Sequence, residues 1–286
     1  MPSPPFATRF APSPTGYLHR GHAFSALYGF EAARAAGGRF LIRIEDLDET
    51  RVRAEFEAAI FEDLAWLGLA WETPVRRQSE HRDDYLAALA KLRDRGLLYR
   101  CFKTRRELIE ASASAPHGPD PSPYRGEALP EAEEAARLAR GEPFAWRLSL
   151  DRARAALGPA WRELSFHEAG AGPAGEIGLI RAEPERLGDV ILARKDIGAA
   201  YHLAVVVDDA LQEITHVIRG ADLFEAAHIQ RLLQALLGLP TPTYRHHRLL
   251  IDETGQRLAK RRGGETLRDL RASGARPEDV RRELGV

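Results

Sequence analysis

The chain has 286 residues and a formal net charge of -1, which is room for one large or two medium domains with a sizeable core. A balance so close to neutral excludes a global field that would draw the molecule onto nucleic acid, so any basic surface must be local. The single cysteine, Cys101, excludes a disulfide framework and a thiolate metal cluster.

The start, Met1-Pro-Ser-Pro-Pro5, has neither the basic opening nor the apolar core of a secretory signal. No apolar run is long enough to span a bilayer. The expectation is a soluble, cytoplasmic globular protein with no membrane association. Arginine carries almost all of the positive charge, and the lysines are Lys91, Lys103, Lys195 and Lys260.

Arg9-Phe10-Ala11 reads as a short strand that Pro12 and Pro14 stop. After a turn through Thr15-Gly16, His19-Arg20-Gly21-His22 opens an amphipathic helix with Ala23, Ala26, Leu27, Phe30 and Ala33 on one face. Strand, turn and helix N-terminus together make an anion site, because free backbone N–H groups and the helix dipole both favour phosphate. His19 and His22 can add donors to phosphoryl oxygens, and Gly21 lets a nucleotide approach the backbone. Alone, the tetrapeptide is equally compatible with ordinary loop and N-cap histidines.

Gly37-Gly38 turns the chain into the strand Arg39 to Asp46, and strand–helix–strand argues for a right-handed crossover and a parallel sheet. Functional groups gather at the carboxyl ends of such strands, where Ser13 and Glu45 both fall. Asp46 and Asp48 are expected to be a solvated strand end and a helix cap. Arg53 to Leu67 reads as a helix, and Ser79 as the cap of another that stops at Gly96.

From Cys101 the pattern breaks into short helices and Pro- and Gly-rich turns, read as a domain inserted into the sheet up to about Pro184. It keeps strand-like pieces at 144–148 and 176–180, and the glycine-rich stretch 170–178 reads as a mobile spacer. Sheet-type sequence resumes at 188–194. It continues through Ala200 to Asp209, whose apolar run Leu203 to Val207 reads as a strand buried on both faces. Ile214 to Arg219 is a further strand, Gly220-Ala-Asp222 leads into a helix, and His247 to Ile251 is read as the last strand. Two short helices finish the chain, the second from Pro277.

Between the last strand and those helices lies Arg257-Leu-Ala-Lys-Arg-Arg262, with glycines on both sides. A basic loop is usually a solvated surface. Four cations on a flexible loop can also close over a polyphosphate and neutralise charge developing on a leaving group. Lys260 favours that second use, because this chain writes arginine wherever charge alone is wanted and lysine is a compact point charge.

His19-Arg-Gly-His22 with Arg257-Leu-Ala-Lys-Arg261 resembles the HIGH and KMSKS motifs of the class I aminoacyl-tRNA synthetases. Arg9 to Gly16, Arg43-Ile-Glu-Asp46 and Arg219-Gly-Ala-Asp222 are similar to the glutamyl branch, in the right order over nearly the whole chain. Length and Val205-Val-Val-Asp-Asp209 resemble the truncated paralogue family of that branch, the glutamyl-queuosine tRNA(Asp) synthetases, which lack the large anticodon-reading domain.

The resemblance implies an α/β fold: a Rossmann-like catalytic domain in two halves (1–100 and 186–250), an inserted α+β domain (101–185), and a KMSKS-like loop with C-terminal helices (251–286). It implies an ATP-dependent ligase that activates L-glutamate, with Mg²⁺, and transfers it to the queuosine base in the anticodon loop of tRNA(Asp). On it, Arg9, Ser13, Glu45, Tyr201 and Arg219 hold glutamate, while His19, Gly21, His22, Arg257 and Lys260 serve ATP. His19, His22 and Lys260 are the catalytic set, and the protein is a monomer. The alternatives are a minimal glutamyl-tRNA synthetase charging a tRNA 3′ end and a synthetase-like module that binds without catalysis.

The sequence departs from the family in two places. Arg257 and Ala259 stand where lysine and serine are common. Where the family often has a zinc site built from Cys-x-Cys and Tyr-x-x-x-Cys, this chain has Cys101-Phe-Lys103 and Tyr124-Arg-Gly-Glu127. One thiolate with a tyrosine and a glutamate is a poor tetrahedral set, so no metal site is expected. An ion pair near Glu127 is expected in its place.

Overall fold

The structure, a computed structural model, describes residues 5–104, 107, 123–194, 198–250 and 265–286. Strand β1 (Ala7–Phe10) runs into helix α1 (Arg20–Ala35), which returns to β2 (Arg39–Ile44); α2 (Ala54–Trp66) then leads to β3 (Glu72–Arg77). The three strands are parallel, in the order β1-β2-β3. α1 begins where His19 leaves the extended region and ends past Ala35, with Ala23, Phe24, Ala26, Leu27 and Ala33 buried against the sheet. The 3.6-residue spacing of those apolar positions predicts that face.

A helical turn Gln78–His81 precedes α3 (Arg82–Asp94) and β4 (Leu98–Cys101). Ser79 does not cap this helix. Its N–H and hydroxyl go to Asp46, at 2.8 and 2.5 Å, so Asp46 is buried under the turn and not solvated. The middle of the chain holds α4 (Glu131–Ala139), β5 (Ala145–Leu148), α5 (Leu150–Leu157), β6 (Ser165–Glu168) and β7 (Gly178–Arg181). Then come β8 (Ile191–Arg194), β9 (Gly198–Ala199), α6 (Tyr201–Leu211), β10 (His216–Gly220), α7 (Phe224–Leu237) and β11 (Thr243–His247). Helices α8 (Leu267–Ala272) and α9 (Pro277–Leu284) close it.

Tyr201 to Leu211 is a helix, which corrects the strand expected over Ala200 to Asp209. α6 lies between α3, α7 and β8, so Leu203 through Asp209 are all buried. A helix packed on every side shows the same unbroken apolar run as a buried strand. The last strand is likewise Thr243–His247, earlier than the expected 247–251.

β10 and β11 are parallel, with β6 parallel on the far side and β7 antiparallel at the edge. Thr215 stitches this block to β1: its N–H donates to the Ala7 carbonyl at 3.0 Å, and the Ala7 N–H donates to its hydroxyl at 2.8 Å. The chain thus winds outward in one direction from β1 and in the other from β10, which puts the switch point at their carboxyl ends. The remaining sheet, β4-β5-β8-β9, is antiparallel and takes its strands from both sides of residue 185.

Two cores hold the layers. One packs α3, α6 and α7 against the second half-sheet through Tyr85, Leu92, Leu203, Ile229, Leu233 and Tyr244. The other joins Leu27, Ile42, Ile60 and Leu64 to Leu267 and Leu284, which docks the C-terminal helices on the first half-sheet. No helix among the described residues is long and apolar enough to cross a membrane.

Candidate active site

At the mouth of α1 the two histidines cap the helix they begin. His19 Nδ1 accepts the Gly21 N–H at 3.0 Å, and His22 Nδ1 accepts the His19 N–H at 3.3 Å, with the rings 3.9 Å apart. A neutral ring that accepts through Nδ1 carries its proton on Nε2, so capping fixes the tautomer of both. They border a cavity of about 350 Å³ whose walls include Gly21, Gly220, Asp222 and His247. This cavity lies at the carboxyl end of β10 and the N-terminus of α1, the position where an α/β sheet offers backbone N–H groups to phosphate.

Beside it is a buried ionic cluster. Arg9 forks onto Asp209 through Nε at 2.8 Å and Nη2 at 3.3 Å. Arg43, fully buried, gives Nη1 to Asp209 at 2.7 Å and Nη2 to Glu45 at 3.1 Å. Asp208 in turn accepts from Arg76 at 2.7 Å, Gln78 at 2.8 Å and Tyr85 at 2.9 Å. Burial raises the Asp209 carboxyl, but the Arg9 and Arg43 charges outweigh it and the group ends below its ordinary value. For Glu45 burial wins over Arg43 and Arg9, and its pKa is raised.

Glu45 sits beside the Ser13 turn, as its strand position predicts, because its N–H donates to the Pro12 carbonyl at 3.0 Å. Ser13 itself is exposed, and Tyr201, the first residue of α6, is 37% exposed. Arg219, near the end of β10, is 5% exposed. The buried Tyr244 sits 5.2 Å below its guanidinium and feels Arg219, Asp209 and Arg9 together. Nε of Arg219 donates to His246 Nε2 at 3.0 Å and Nη1 to Gln230 Oε1 at 2.9 Å, while Nη2 is buried with no partner in the described structure. Nearby His202 is half-buried, its Nδ1 enclosed and without a partner in the described structure, and desolvation followed by the Arg219 charge lowers its pKa to about 4. These elements supply a neutral imidazole at the start of α6, an arginine with an unpartnered Nη2 at the end of β10 and the Glu45 carboxylate after β2. Those groups suit a small zwitterion carrying an extra carboxylate.

The family model for class I tRNA synthetases (E and Q), catalytic domain, matches residues 5–285. The chain belongs to that family. It is 47% identical over 98% of its length to "Glutamyl-Q tRNA(Asp) synthetase" of Rhodobacter capsulatus, covering 99% of that protein. The protein of the same name in Nocardia farcinica is 43% identical over 96% of this chain and 82% of its own length. Among solved structures, a glutamate tRNA ligase from Elizabethkingia meningosepticum, crystallised in complex with its amino acid, superposes with a TM-score of 0.73 at 30% identity. That match covers 91% of this chain, which spans only 53% of the ligase.

Within this synthetase family a zinc ion is common near the first half-sheet, and the residues here do not fit one. Cys101 Sγ lies 3.8 Å from the Tyr124 hydroxyl, and the Tyr124 ring carries Lys103 at 5.7 Å and Arg147 at 4.5 Å. Two cations on the ligand side oppose a third, and no group of three His, Cys, Asp or Glu with metal-holding placement exists among the described residues. Among the described residues it is Asp189, rather than the expected ion pair at Glu127, that ties the region together. It accepts from Tyr99 at 2.9 Å, from the Gly126 N–H at 3.0 Å and from the Leu150 N–H at 3.0 Å, and Arg147 donates to its carbonyl.

Arg257 and Lys260 lie outside the described residues. The sequence shows Asp208 and Asp209 only as part of a family likeness and gives no sign of Glu168 or His246, yet each orients a predicted site residue or ties the site's elements together. The available signal was Asp208-Asp209 following an apolar run: two carboxylates inside a buried element require cations from elsewhere. The 170–178 stretch is tied in at its start, since Ala169 and Ala171 donate to the Tyr244 and His246 carbonyls at 2.7 and 3.2 Å.

Proposed function

We propose that this chain condenses L-glutamate with ATP, taken up as its Mg²⁺ complex, and passes the glutamyl group to the queuosine base of tRNA(Asp). The observation that carries the reading is Arg219, whose Nη2 is buried without a partner in the described structure at the end of β10, while the Glu45 carboxylate follows β2 and His19 and His22 open α1. The 47% identical relative named for that activity supports the choice of acceptor.

In this reading Arg219 Nη2 takes the side-chain carboxylate and Glu45 the α-ammonium. Arg9, already forked onto Asp209, contributes positive potential more than a free fork. Ser13 and Tyr201 close the site from the exposed side. In the first step the α-carboxylate oxygen attacks the α-phosphorus of ATP, a P–O bond forms and pyrophosphate leaves with the broken Pα–O bond. No general base is needed, because the nucleophile is already ionised. His19 and His22 donate through Nε2 to the phosphates, and the loop carrying Arg257 and Lys260 balances charge on the departing pyrophosphate. In the second step a hydroxyl of the acceptor base attacks the adenylate carbonyl, loses its proton and releases AMP. The protein acts in the cytoplasm as a monomer.

Pyrophosphate exchange into ATP tests the activation step. Exchange dependent on L-glutamate, and at least about a hundredfold weaker with glutamine, is expected from a site that pairs a carboxylate with a buried arginine. Exchange that is equal with glutamine, or absent with glutamate, overturns the reading.

A further inference from the structure

We infer that Glu168 and His246 form a positioning relay that sets the orientation of Arg219 toward the substrate carboxylate; this rests on the glutamate reading above. The three residues come from neighbouring strands in one parallel block, with Glu168 opposite Tyr244 and His246 opposite Arg219 in register. Glu168 is wholly buried, and its Oε1 accepts the N–H groups of Gly170 at 2.8 Å and His246 at 2.9 Å. Its Oε2 lies 2.6 Å from His246 Nδ1. Burial raises the Glu168 carboxyl, but its bonds to His246 and Gly170 overcome that and hold it below its ordinary value.

An ionised carboxylate only accepts, so Nδ1 of His246 carries the proton and Nε2 is left as an acceptor. That acceptor is what receives Arg219 Nε at 3.0 Å. Burial keeps the imidazole neutral, against the pull of Glu168 and with the help of the Arg219 charge. Gln230 holds Nη1 and the Tyr244 ring lies below the plane, so the guanidinium nitrogen without any partner in the described structure is Nη2. The glycine-rich turn after β6 completes the clamp: a Cβ at Gly170 would stand 2.2 Å from the His246 carbonyl oxygen. A strut that merely joined three strands would need no particular tautomer; this relay needs one.

Glu168→Gln keeps the shape and reverses the tautomer. With its amide oxygen toward the two backbone N–H groups, its NH₂ faces Nδ1, and the ring proton moves to Nε2, where it opposes the Arg219 N–H. We expect nitrogen-15 NMR of the histidine rings to show His246 protonated on Nδ1 in the native protein and on Nε2 in the variant. The KM for glutamate in pyrophosphate exchange should rise by about ten- to a hundredfold, the loss of a charge-assisted bond, while the KM for ATP stays within about twofold. His246→Gln, which can present an acceptor near Nε2, should lie closer to native than His246→Leu.

An unchanged glutamate KM in Glu168→Gln, or a native His246 protonated on Nε2, overturns the relay. Should Glu168→Gln fail to fold, equal glutamate KM values in His246→Gln and His246→Leu overturn it instead. Arg219→Ala separates the two levels: an unchanged glutamate KM there removes the glutamate reading itself, and a raised one with no effect from Glu168→Gln removes only the relay.

Discussion

Replacing Asp209 by alanine is the sharpest test of how the two half-sheets are held in register at the site. Three cations, Arg9, Arg43 and Arg76, face three carboxylates, Glu45, Asp208 and Asp209, with Asp84 a further partner of Arg76 on its more exposed side. Asp209 accepts hydrogen bonds from two arginines, at 2.8 and 2.7 Å. Its loss leaves one uncompensated charge among side chains that are at most 13% exposed. Breaking a buried pair from one side costs about 3–5 kcal/mol, and at roughly 2–4 °C per kcal/mol for a chain of this size the midpoint should fall by about 6–20 °C. Urea and thermal unfolding at neutral pH measure it, and the loss should persist in 1 M salt because the pair is shielded from solvent ions. Asp209→Ala with Arg43→Ala removes one charge of each sign and should be less harmful than the two single losses added. A single-variant loss under about 1 kcal/mol, the size of a surface pair, would refute the account of this cluster.

Other consequences can be read with the same assays. Lys260→Ala should slow glutamate-dependent pyrophosphate exchange by about two to three orders of magnitude, as for other lost charge-stabilising groups, with unfolding unchanged; a normal rate removes Lys260 from the mechanism. Because burial raises the Glu45 pKa, its negative charge is lost at higher pH than for an ordinary carboxylate. The glutamate KM should therefore climb as pH falls toward that raised value while the ATP KM does not, and Glu45→Gln should raise the glutamate KM and flatten the profile. Asp63 on α2 is buried with no donor to either oxygen among the described residues and with Arg271 3.6 Å away, and burial lifts its pKa from 3.8 to about 6. The folded state therefore gains from a protonated Asp63 below about pH 4 and loses that gain as pH rises through about 6, by up to about 3 kcal/mol. Asp63→Asn should raise stability in urea at pH 7.5 and leave it unchanged at pH 4; equal effects at both values would contradict the assignment.

What the sequence made legible was the local part of the fold. α1 and its histidine mouth follow from apolar spacing and a proline-stopped strand, and α2 and α9 from periodicity and N-terminal signals. α6 was misread because Leu203 to Val207 is buried on all sides, which erases the amphipathic signal that separates helix from strand. β3 escaped notice because it is an edge strand interrupted by Pro74, mostly exposed in its first half. β6, four residues long, carries too few positions for alternation to register. At the site, Arg9, Glu45 and Arg219 were recognisable as motif residues, but their pairings were not. Arg9 and Asp209 are 200 positions apart, and Glu168 and His246 are 78 apart. Such pairings are decided by which strands become neighbours, and that is a property of the topology.

The acceptor is the central claim, and one labelling experiment bears on it directly. Radiolabelled glutamate and ATP are offered with tRNA(Asp) carrying queuosine at the wobble position, with the same tRNA carrying guanosine there, and with tRNA(Glu). The account predicts label on the queuosine-bearing tRNA(Asp) alone, recovered in its anticodon fragment after nuclease digestion. Label on the 3′-terminal adenosine of tRNA(Glu) would contradict it.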